Sequence, residues 1–379
     1  MRAALVAARA VDTARLTVGV EEEFLLLDPA TMENRPAAPA VLAALPADVQ
    51  HLSRREFRHS MIEMVTPVCT GLDEVGSHLR LLRTAAARSA RSAGAMLAAV
   101  GATPVGEPER AVTDDPRFRA IADHYGPVVD DPAVCGCHVH VGVPDRELAV
   151  QVCNHLRPWL PVLQALTVNS PFHDGRDTGH ASWRAMQLDR WPTLGPTPWF
   201  ASAEDLDRTV ELLVASGAML DASLILWHAR PSAGYPTVEI RVADTCPTTG
   251  DAVLLAGLAR ALVATAVDRI GAGHAAPQIP GHLVRAAHWN AAHAGLGGTL
   301  LDLRQGRARP AWDLVGDLMH TVTPALSRSG DLPLIEAELT RLRTEGPGAT
   351  RQRDAFARSG DLRTALALTG VPDGSLIDR

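Results

Sequence analysis

Several short segments before residue 245 show alternating apolar and polar residues. This alternation is the sequence feature that most constrains the fold. The clearest lie at 16–27, 134–143 and 236–243, with weaker ones at 56–69 and 224–230. Successive side chains of a strand point to opposite faces of a sheet, so the pattern predicts strands with one apolar and one polar face. Helical spacing takes over after residue 250, which favours an α+β fold with a largely antiparallel sheet.

The spacing of apolar residues also predicts helices between the strands. We expect helices over 72–99, 145–168 and 203–220, the last with Ser202 as its N-cap. Residues 172–200 show no period and contain scattered Trp, Phe, Gly and Pro residues. A loop of this length is typical of a functional segment, and we predict that it forms a lid.

The chain shows no internal repeat and no linker, which predicts one domain over residues 1–379. Its helical part is expected at 250–379, interrupted by loops near 272–281 and 305–311. A Pro-rich stretch at 36–46 is expected to be a loop.

Lysine is absent: all 36 basic residues are arginines, against 43 acidic ones, for a net charge of −7. A P-loop needs its Lys on the phosphates, and a Schiff base needs a Lys amine, so P-loop NTPases and pyridoxal phosphate enzymes are excluded. A protein kinase of the usual type is excluded for the same reason. Any nucleotide must be bound by arginines, backbone N–H groups and metal ions.

The composition also limits partners and location. The chain has no basic block, and aromatic residues are 4% of it, so we expect no nucleic-acid partner. No uninterrupted apolar run approaches the roughly 18 residues of a membrane span. The N-terminus lacks a signal-peptide core, and five irregularly spaced cysteines are typical of a reducing compartment, so we expect a cytoplasmic protein without a membrane partner.

Strand alternation separates the ionisable residues into faces. Glu21 and Glu23 share one face of the first strand, and His138 and His140 share one face of the 134–143 strand. Cys135 and Cys137 point to the opposite face from the two histidines. One tetrahedral zinc ion cannot reach both pairs while the strand stays regular, so the cysteines are interpreted as small buried residues.

The two remaining strands add further polar groups. Glu239 and Arg241 share the polar face of the 236–243 strand. Glu56 and Glu63 are seven residues apart, which strict alternation places on opposite faces. A bulge, or a position of Glu56 before the strand begins, would bring both to one site.

Together these faces offer up to five carboxylates, two imidazoles and an arginine. Such ligands suit Mg²⁺ or Mn²⁺ better than structural zinc. Divalent ions beside an arginine are what a bound triphosphate needs for phosphoryl transfer. Crowding of the carboxylates also leads us to expect that losing Glu21 or Glu239 stabilises the metal-free protein.

Six blocks of this chain, in order, resemble the type 2 family of glutamate–cysteine ligases, which are carboxylate–amine ligases. The blocks are GVEEEF at 19–24, MIEMVTPVC at 61–69, GCHVHVG at 136–142, NSPF at 169–172 with SWR at 182–184, WHARPS at 227–232 with TVEIRVADT at 237–245, and Trp289 with GLGG at 295–298.

The resemblance implies a glutamine-synthetase-like catalytic fold, a curved antiparallel sheet forming a funnel flanked by helices. It implies that ATP and Mg²⁺, or Mn²⁺, activate the γ-carboxylate of L-glutamate as a γ-glutamyl phosphate, which the amine of L-cysteine attacks. The metal ligands implied by position are Glu21, Glu23, Glu56, Glu63, His138 and Glu239. Arg241, Arg230 and Glu239 are implied as catalytic residues, and Arg241, His140 and Arg184 as nucleotide contacts.

Two positions depart from the family pattern: His293 stands where an Arg is expected, and His59 where some relatives have Glu. Other hypotheses stay open. The scaffold could use another amine or carboxylate, or act as a guanidino kinase, and a non-enzymatic metal-binding protein would use the Cys/His cluster. The expected partners are small-molecule substrates, and the sequence leaves a homo-oligomer open.

Overall fold

The computed structural model describes residues 2–374, in which strands and helices are mixed along the chain. The strands are β1 (Val18–Leu27), β2 (Ser53–Arg55), β3 (Met61–Val65), β4 (Met96–Ala98), β5 (Gly136–Gly142), β6 (Phe172–His173), β7 (Arg176–Asp177), β8 (Leu194–Gly195), β9 (Leu226–Trp227), β10 (Ala229–Pro231), β11 (Thr237–Asp244), β12 (Thr299–Asp302) and β13 (Arg307–Pro310). The helices are α1 (Arg2–Ala10), α2 (Ala38–Ala43), α3 (Ala47–Gln50), α4 (Leu72–Ser92), α5 (Pro116–Tyr125), α6 (Arg146–Leu156), α7 (Leu160–Leu166), α8 (Trp183–Leu188), α9 (Ala203–Ala215), α10 (Thr249–Gly271), α11 (Gly281–Ala294), α12 (Ala311–Ser329), α13 (Leu332–Glu345), α14 (Gly348–Ser359) and α15 (Leu362–Ala367).

One seven-stranded sheet organises the described part of the chain. Six strands lie side by side in the order β10, β11, β5, β1, β3, β2, and β4 pairs with the C-terminal part of β1. Every pairing in this sheet is antiparallel. The predicted α+β class with an antiparallel sheet is therefore confirmed.

Several predicted elements have different ends, for local reasons. The helix expected over 72–99 ends at Ser92, because Gly94 adopts a positive φ of 71° and the chain continues into β4. The helix expected over 145–168 is divided into α6 and α7 near Pro158 and Pro161, since proline removes a helical N–H donor. The helix beginning after Ser202 is confirmed, with that side chain accepting from the Asp205 N–H.

Other predictions of secondary structure are wrong. Of the strand expected over 56–69, only Met61–Val65 forms a strand, β3; β2 lies before this range, and Glu56 is in the connection between the two. The Pro-rich stretch 36–46 contains α2, and the loop expected near 305–311 belongs to the β12–β13 hairpin. Residues 172–200 contain β6, β7, α8 and β8 and so are not one irregular loop.

The main helical layer packs on the back face of the sheet. Apolar residues of β1, β5 and β11 on this back face, among them Val20, Val139 and Ile240, pack in one core with α4, α6, α10 and α12. Helix α10 is long and apolar enough to cross a membrane, but 89% of its most apolar window is buried in this structure. It is the central core helix of the fold, as its apolar surface all round indicates.

One ion pair lies inside this back-face core. Glu22 of β1 accepts from Nε of Arg83 on α4 at 2.8 Å, and Arg83 also donates to the Cys246 carbonyl at 2.7 Å. Both side chains are more than nine-tenths buried. The glutamates before and after Glu22 lie on the opposite face of the sheet. Three successive carboxylates therefore have two different surroundings, one in the core and two on the front face.

We predict that Glu22→Gln lowers the free energy of unfolding by about 3–5 kcal/mol, because it leaves the Arg83 cation buried without a counter-charge. Urea unfolding followed by circular dichroism measures the change. Glu211→Gln is the matched control, since Glu211 is exposed on α9, and it is expected to change stability by less than about 0.5 kcal/mol. Equal stability of Glu22→Gln and the wild type would contradict this account of the core.

Candidate active site

Strand register assembles the ionisable residues on the front face of the sheet. Glu21 of β1 lies opposite His138 of β5, and Glu23 lies opposite Glu63 of β3. His140 lies opposite Glu239 of β11. Residues directly opposite each other share a face, so four strands place their carboxylates and imidazoles in one patch.

Three overlapping triads of ligand atoms form within this patch. In each triad the ligand atoms lie within 4.8 Å of one another. The triads are Glu21, Glu63 and His138; Glu21, His140 and Glu239; and Glu23, Glu56 and Glu63. All six predicted metal ligands occur in them, and so does His140, which the sequence reasoning assigned to the nucleotide. Glu56 reaches the third triad from the β2–β3 connection. It therefore lies before its strand begins, as one of the two predicted arrangements requires.

Two of these carboxylates have cationic or donor partners. Burial opposes ionisation of Glu21, but hydrogen bonds from His138 and His140 prevail and hold its pKa well below the ordinary value. Burial likewise opposes ionisation of Glu239, but Arg241 and Arg230 hold its pKa well below the ordinary value. Arg230 Nε donates to Glu239 at 2.8 Å, and Arg241 donates to the other oxygen.

Two further carboxylates, Glu56 and Glu63, lie among like charges. Burial and the charge of Glu23 raise the pKa of Glu56 to about 8. Burial and the charge of Glu56 raise the pKa of Glu63 well above its ordinary value. The effect of losing Glu21 or Glu239 on the metal-free protein stays a prediction, but the pKa directions place the strongest opposition to ionisation at Glu56 and Glu63.

The two histidines of β5 are held differently. His138 Nδ1 lies 3.4 Å from Glu21, and its buried Nε2 has no hydrogen-bond partner. Burial and the Arg241 charge lower the pKa of His138, so the ring is neutral. With the proton on Nδ1, the Nε2 lone pair is available as a metal ligand. His140 contacts Thr237 Oγ1 at 2.9 Å and Glu21 at 3.3 Å.

Arg184 reaches the site from α8 because Gly136 leaves room for it. A Cβ atom at Gly136 would lie 2.4 Å from the guanidinium of Arg184. The Asp244 carboxylate fixes this region, since it accepts from the Asn169 N–H and from the hydroxyls of Ser170 and Ser182 at 2.7–2.8 Å. The NSPF and SWR blocks, distant in sequence, are thereby joined to the end of β11.

A cavity of about 490 Å³ adjoins the front face. Glu23, Glu56, His138, Arg230 and Arg241 form its ionic wall, and segment 172–200 adds Arg184, Gln187 and Trp191. The lid function of that segment stays a prediction, but its side chains do line the cavity.

The apolar part of the cavity lining was missed by the sequence reasoning, apart from Trp191 in the 172–200 segment. It consists of Phe57, Phe118, Ile121, Val129, Trp191 and Leu224, which we call the apolar wall. These residues come from five separate segments and carry no motif, so no local signal marked them as a group. His228, whose Nδ1 is enclosed without a partner, also lines the cavity, although only its WHARPS block had been noticed.

Cys135 and Cys137 lie in different surroundings. Cys135 packs with Leu25, Leu27 and Met61, and burial together with the nearby charges of Glu23 and Glu56 raises the pKa of its thiol well above the ordinary value. All five cysteines are free and buried, and Cys137 packs in the back-face core, which confirms the interpretation of Cys135 and Cys137 as buried residues. One further ligand group, Cys69, Glu74 and His78, lies at the start of α4 and includes neither His138 nor His140. The zinc cluster considered from Cys-x-Cys-His-x-His does not form.

The two departures from the family pattern also lie outside the triads. His293 stacks on Trp289 with ring centroids 5.1 Å apart and contacts His180. His59 lines a second cavity together with Glu56, Arg54 and Arg55.

Comparison with known proteins agrees with the geometry. Residues 17–374 match the family described as glutamate-cysteine ligase family 2. A Salinispora arenicola protein named "Putative glutamate--cysteine ligase 2" is 63% identical over 356 residues, which cover 94% of both chains. A Saccharopolyspora erythraea protein named "Putative glutamate--cysteine ligase 2-1" is 48% identical over 349 residues, which cover 92% of both chains.

Solved structures show the same fold. The glutamate–cysteine ligase of Francisella tularensis, solved in complex with AMP, superposes with a TM-score of 0.69 at 12% identity, covering 94% of this chain and 87% of its own. A bifunctional glutathione synthetase of Pasteurella multocida superposes with a TM-score of 0.66 at 16% identity, covering 97% and 53%. At these identities the likeness concerns the fold, and it confirms the fold expected from the sequence blocks.

The fold and the site define an ATP-dependent carboxylate–amine ligase that acts on small molecules. Within that class, the chain belongs to glutamate–cysteine ligase family 2.

The raised pKa of Glu56 has a consequence for stability. The unfolded chain releases this proton near the ordinary pKa of 4.5 and the metal-free folded protein only near 8, so folding becomes less favourable as the pH rises between these values. We predict that the wild type loses stability relative to Glu56→Gln across this window, by at most about 1.4 kcal/mol per pH unit.

Urea unfolding at a series of pH values with EDTA present measures this difference, which should level off above pH 8. Comparison with Glu56→Gln is needed because other groups also make the stability depend on pH. Buried histidines with a lowered pKa, such as His155, make folding more favourable as the pH rises towards 6.5. Added Mg²⁺ is expected to reduce the slope. A difference that does not depend on pH would show that Glu56 is not held among anions.

Proposed function

We propose that this chain uses ATP and Mg²⁺ to activate the γ-carboxylate of L-glutamate and then joins it to an amine. L-Cysteine is the amine that the names of the relatives supply. The observation that carries the proposal is the set of three overlapping carboxylate and imidazole triads beside Arg230 and Arg241, on one wall of a cavity. Family membership supports the activation of a carboxylate.

The residues of the triads fit divalent cations. Carboxylate oxygens with imidazole nitrogen suit Mg²⁺ or Mn²⁺, and the buried Nε2 of His138 has no other partner. Burial, and after it the charges of neighbouring carboxylates, raise the pKa values of Glu56 and Glu63, and a bound cation would favour their ionised forms. Bound cations would supply charge neutralisation for the phosphates of ATP. Glu21 and Glu63 each belong to two triads, so each would be available as a ligand in two of the candidate sites.

Two arginines beside the triads support a phosphoryl-transfer step. The γ-carboxylate of glutamate attacks the terminal phosphorus of ATP and ADP departs, giving γ-glutamyl phosphate. Arg241 and Arg230 line the cavity beside the triads and would stabilise negative charge on the transferring group. The amine then attacks the acyl carbon, phosphate departs, and the nitrogen loses a proton.

The absence of lysine agrees with this arrangement, because guanidinium groups and bound cations do the work that a P-loop lysine does elsewhere. The five free cysteines agree with a cytoplasmic location, which is part of the proposal. Arg184, His140 and Arg241 are proposed to contact the substrates or the nucleotide from three sides of the site.

The reaction is tested by ADP release from ATP with Mg²⁺ and L-glutamate, with and without amines. Hydroxylamine, which traps acyl phosphates as hydroxamates, reports the first half-reaction whatever the natural amine is. We expect glutamate-dependent γ-glutamyl hydroxamate formation. Neither ADP nor hydroxamate with glutamate, at any Mg²⁺ or Mn²⁺ concentration, would refute the proposal.

The metal-ligand assignment predicts that Glu21→Gln lowers ADP release at least about a hundredfold, because it removes a ligand shared by two triads. The variant should remain folded, since the glutamine still accepts a hydrogen bond from the histidines. Glu211→Gln is again the matched control and should retain wild-type turnover. Near-normal turnover of Glu21→Gln would show that the metal-site assignment is wrong.

A further inference from the structure

We infer that the amine accepted by this ligase carries a branched aliphatic or aromatic side chain, larger than that of cysteine, which the apolar wall of the cavity binds. The inference rests on the proposed function and concerns its second substrate. It depends on the shape and chemistry of the cavity opposite the ionic wall.

The apolar wall presents aromatic surface to the cavity. Phe57 and Phe118 form an edge-to-face pair with ring centroids 5.7 Å apart, and Trp191 packs on Tyr125 at 5.1 Å. Phe57, Phe118 and Trp191 are partly exposed where they line the cavity. A ligand that covers these rings would gain about 25 cal/mol for each Å² of apolar surface removed from water.

Two arginines beside this wall already have partners. Arg58 donates to the backbone carbonyls of Val129, Asp131 and Arg110. Arg117 pairs with Asp221 at 3.0 Å. Arg184 Nε and Gln187 Oε1, which also line the cavity, have no hydrogen-bond partner and are available to polar groups of the substrates. The rings and aliphatic side chains of the apolar wall offer no such partner, so this part of the cavity selects a ligand by size and shape.

The cavity is large enough for such a side chain. A cavity of about 150 Å³ lined by apolar residues binds benzene, and this one measures about 490 Å³. The ionic wall takes the reacting carboxylate and phosphate, which leaves ring-sized space at the apolar wall. A cysteine side chain would leave much of the aromatic surface uncovered.

The nucleotide base can lie away from the apolar wall. The triad of Glu21, His140 and Glu239 does not line this cavity. Its His140 is next to Thr237 and to Tyr235, a ring that is 56% exposed and 5.8 Å from His140 between centroids. Phosphates on this triad would extend the nucleotide towards Tyr235, and the apolar wall stays free for the amine.

The test measures kcat/KM for a panel of amines at saturating ATP, Mg²⁺ and L-glutamate. The panel contains L-cysteine, L-alanine, L-leucine, L-phenylalanine and 2-phenylethylamine. We expect at least one of the three bulky amines to exceed cysteine by about tenfold or more, since a difference of one or more methylene groups in an apolar pocket has effects of this size.

Hydroxylamine trapping in the same preparation distinguishes failure of this inference from failure of the proposed function. Glutamyl hydroxamate together with a preference for cysteine or alanine over all three bulky amines would overturn this inference and leave the proposed function standing. Absence of hydroxamate and of ADP would overturn both.

A pair of Phe→Ala variants tests the wall itself. Phe118→Ala should reduce the preference for bulky amines over cysteine by about tenfold. Phe356→Ala, on α14 and away from the cavity, is the matched control and should leave that preference unchanged. Phe118→Leu, with a smaller loss, serves if the alanine variant unfolds, as checked by thermal unfolding. An increase in KM for ATP with an unchanged amine preference would show that the wall binds the nucleobase, and the inference would be wrong.

Discussion

The active site depends on the register between β1 and its two neighbours. Glu21 faces His138 and Glu23 faces Glu63 only in this register. A slip of one residue would move every side chain of β1 to the other face, placing Glu22 in the site and the metal-ligand candidates in the core. The apolar residues of the back face and the buried pair of Glu22 with Arg83 fix the register, so the same contacts that hold the sheet also assemble the site.

Charge is distributed unequally across the front face. Glu239 lies between two arginines and Glu21 between two histidines, whereas Glu56 and Glu63 lie among other carboxylates. The proposed cations would therefore relieve most repulsion at the end of the patch that borders the cavity through Glu23 and Glu56. The arginine end has positive charge of its own, which the proposed function assigns to a phosphoryl group. In this proposal, stability, metal binding and catalysis are coupled through one group of side chains.

Much of this site was predictable from sequence, for one physical reason. Side chains alternate with a period of two along a strand, so the faces of Glu21, Glu23, His138, His140 and Glu239 could be assigned without a structure. The ordered blocks of the family located the same residues. Helix α5 and the β12–β13 hairpin were not foreseen, since weak local patterns are overridden by tertiary contacts. The break near Pro158 and the end of α4 before Gly94 had a local signal, because proline and glycine interrupt helices.

The sequence by itself determined which side chains share a face, which cations are available and which family the chain resembles, because these follow from local periodicity, composition and motif order. Only the tertiary structure decided which strands are neighbours, that Glu56 reaches the site from a connection, and that His140 joins a triad. It alone assembled the apolar wall from five separate segments. Contacts between residues far apart in the chain arise from packing of the whole fold, and no local pattern encodes them.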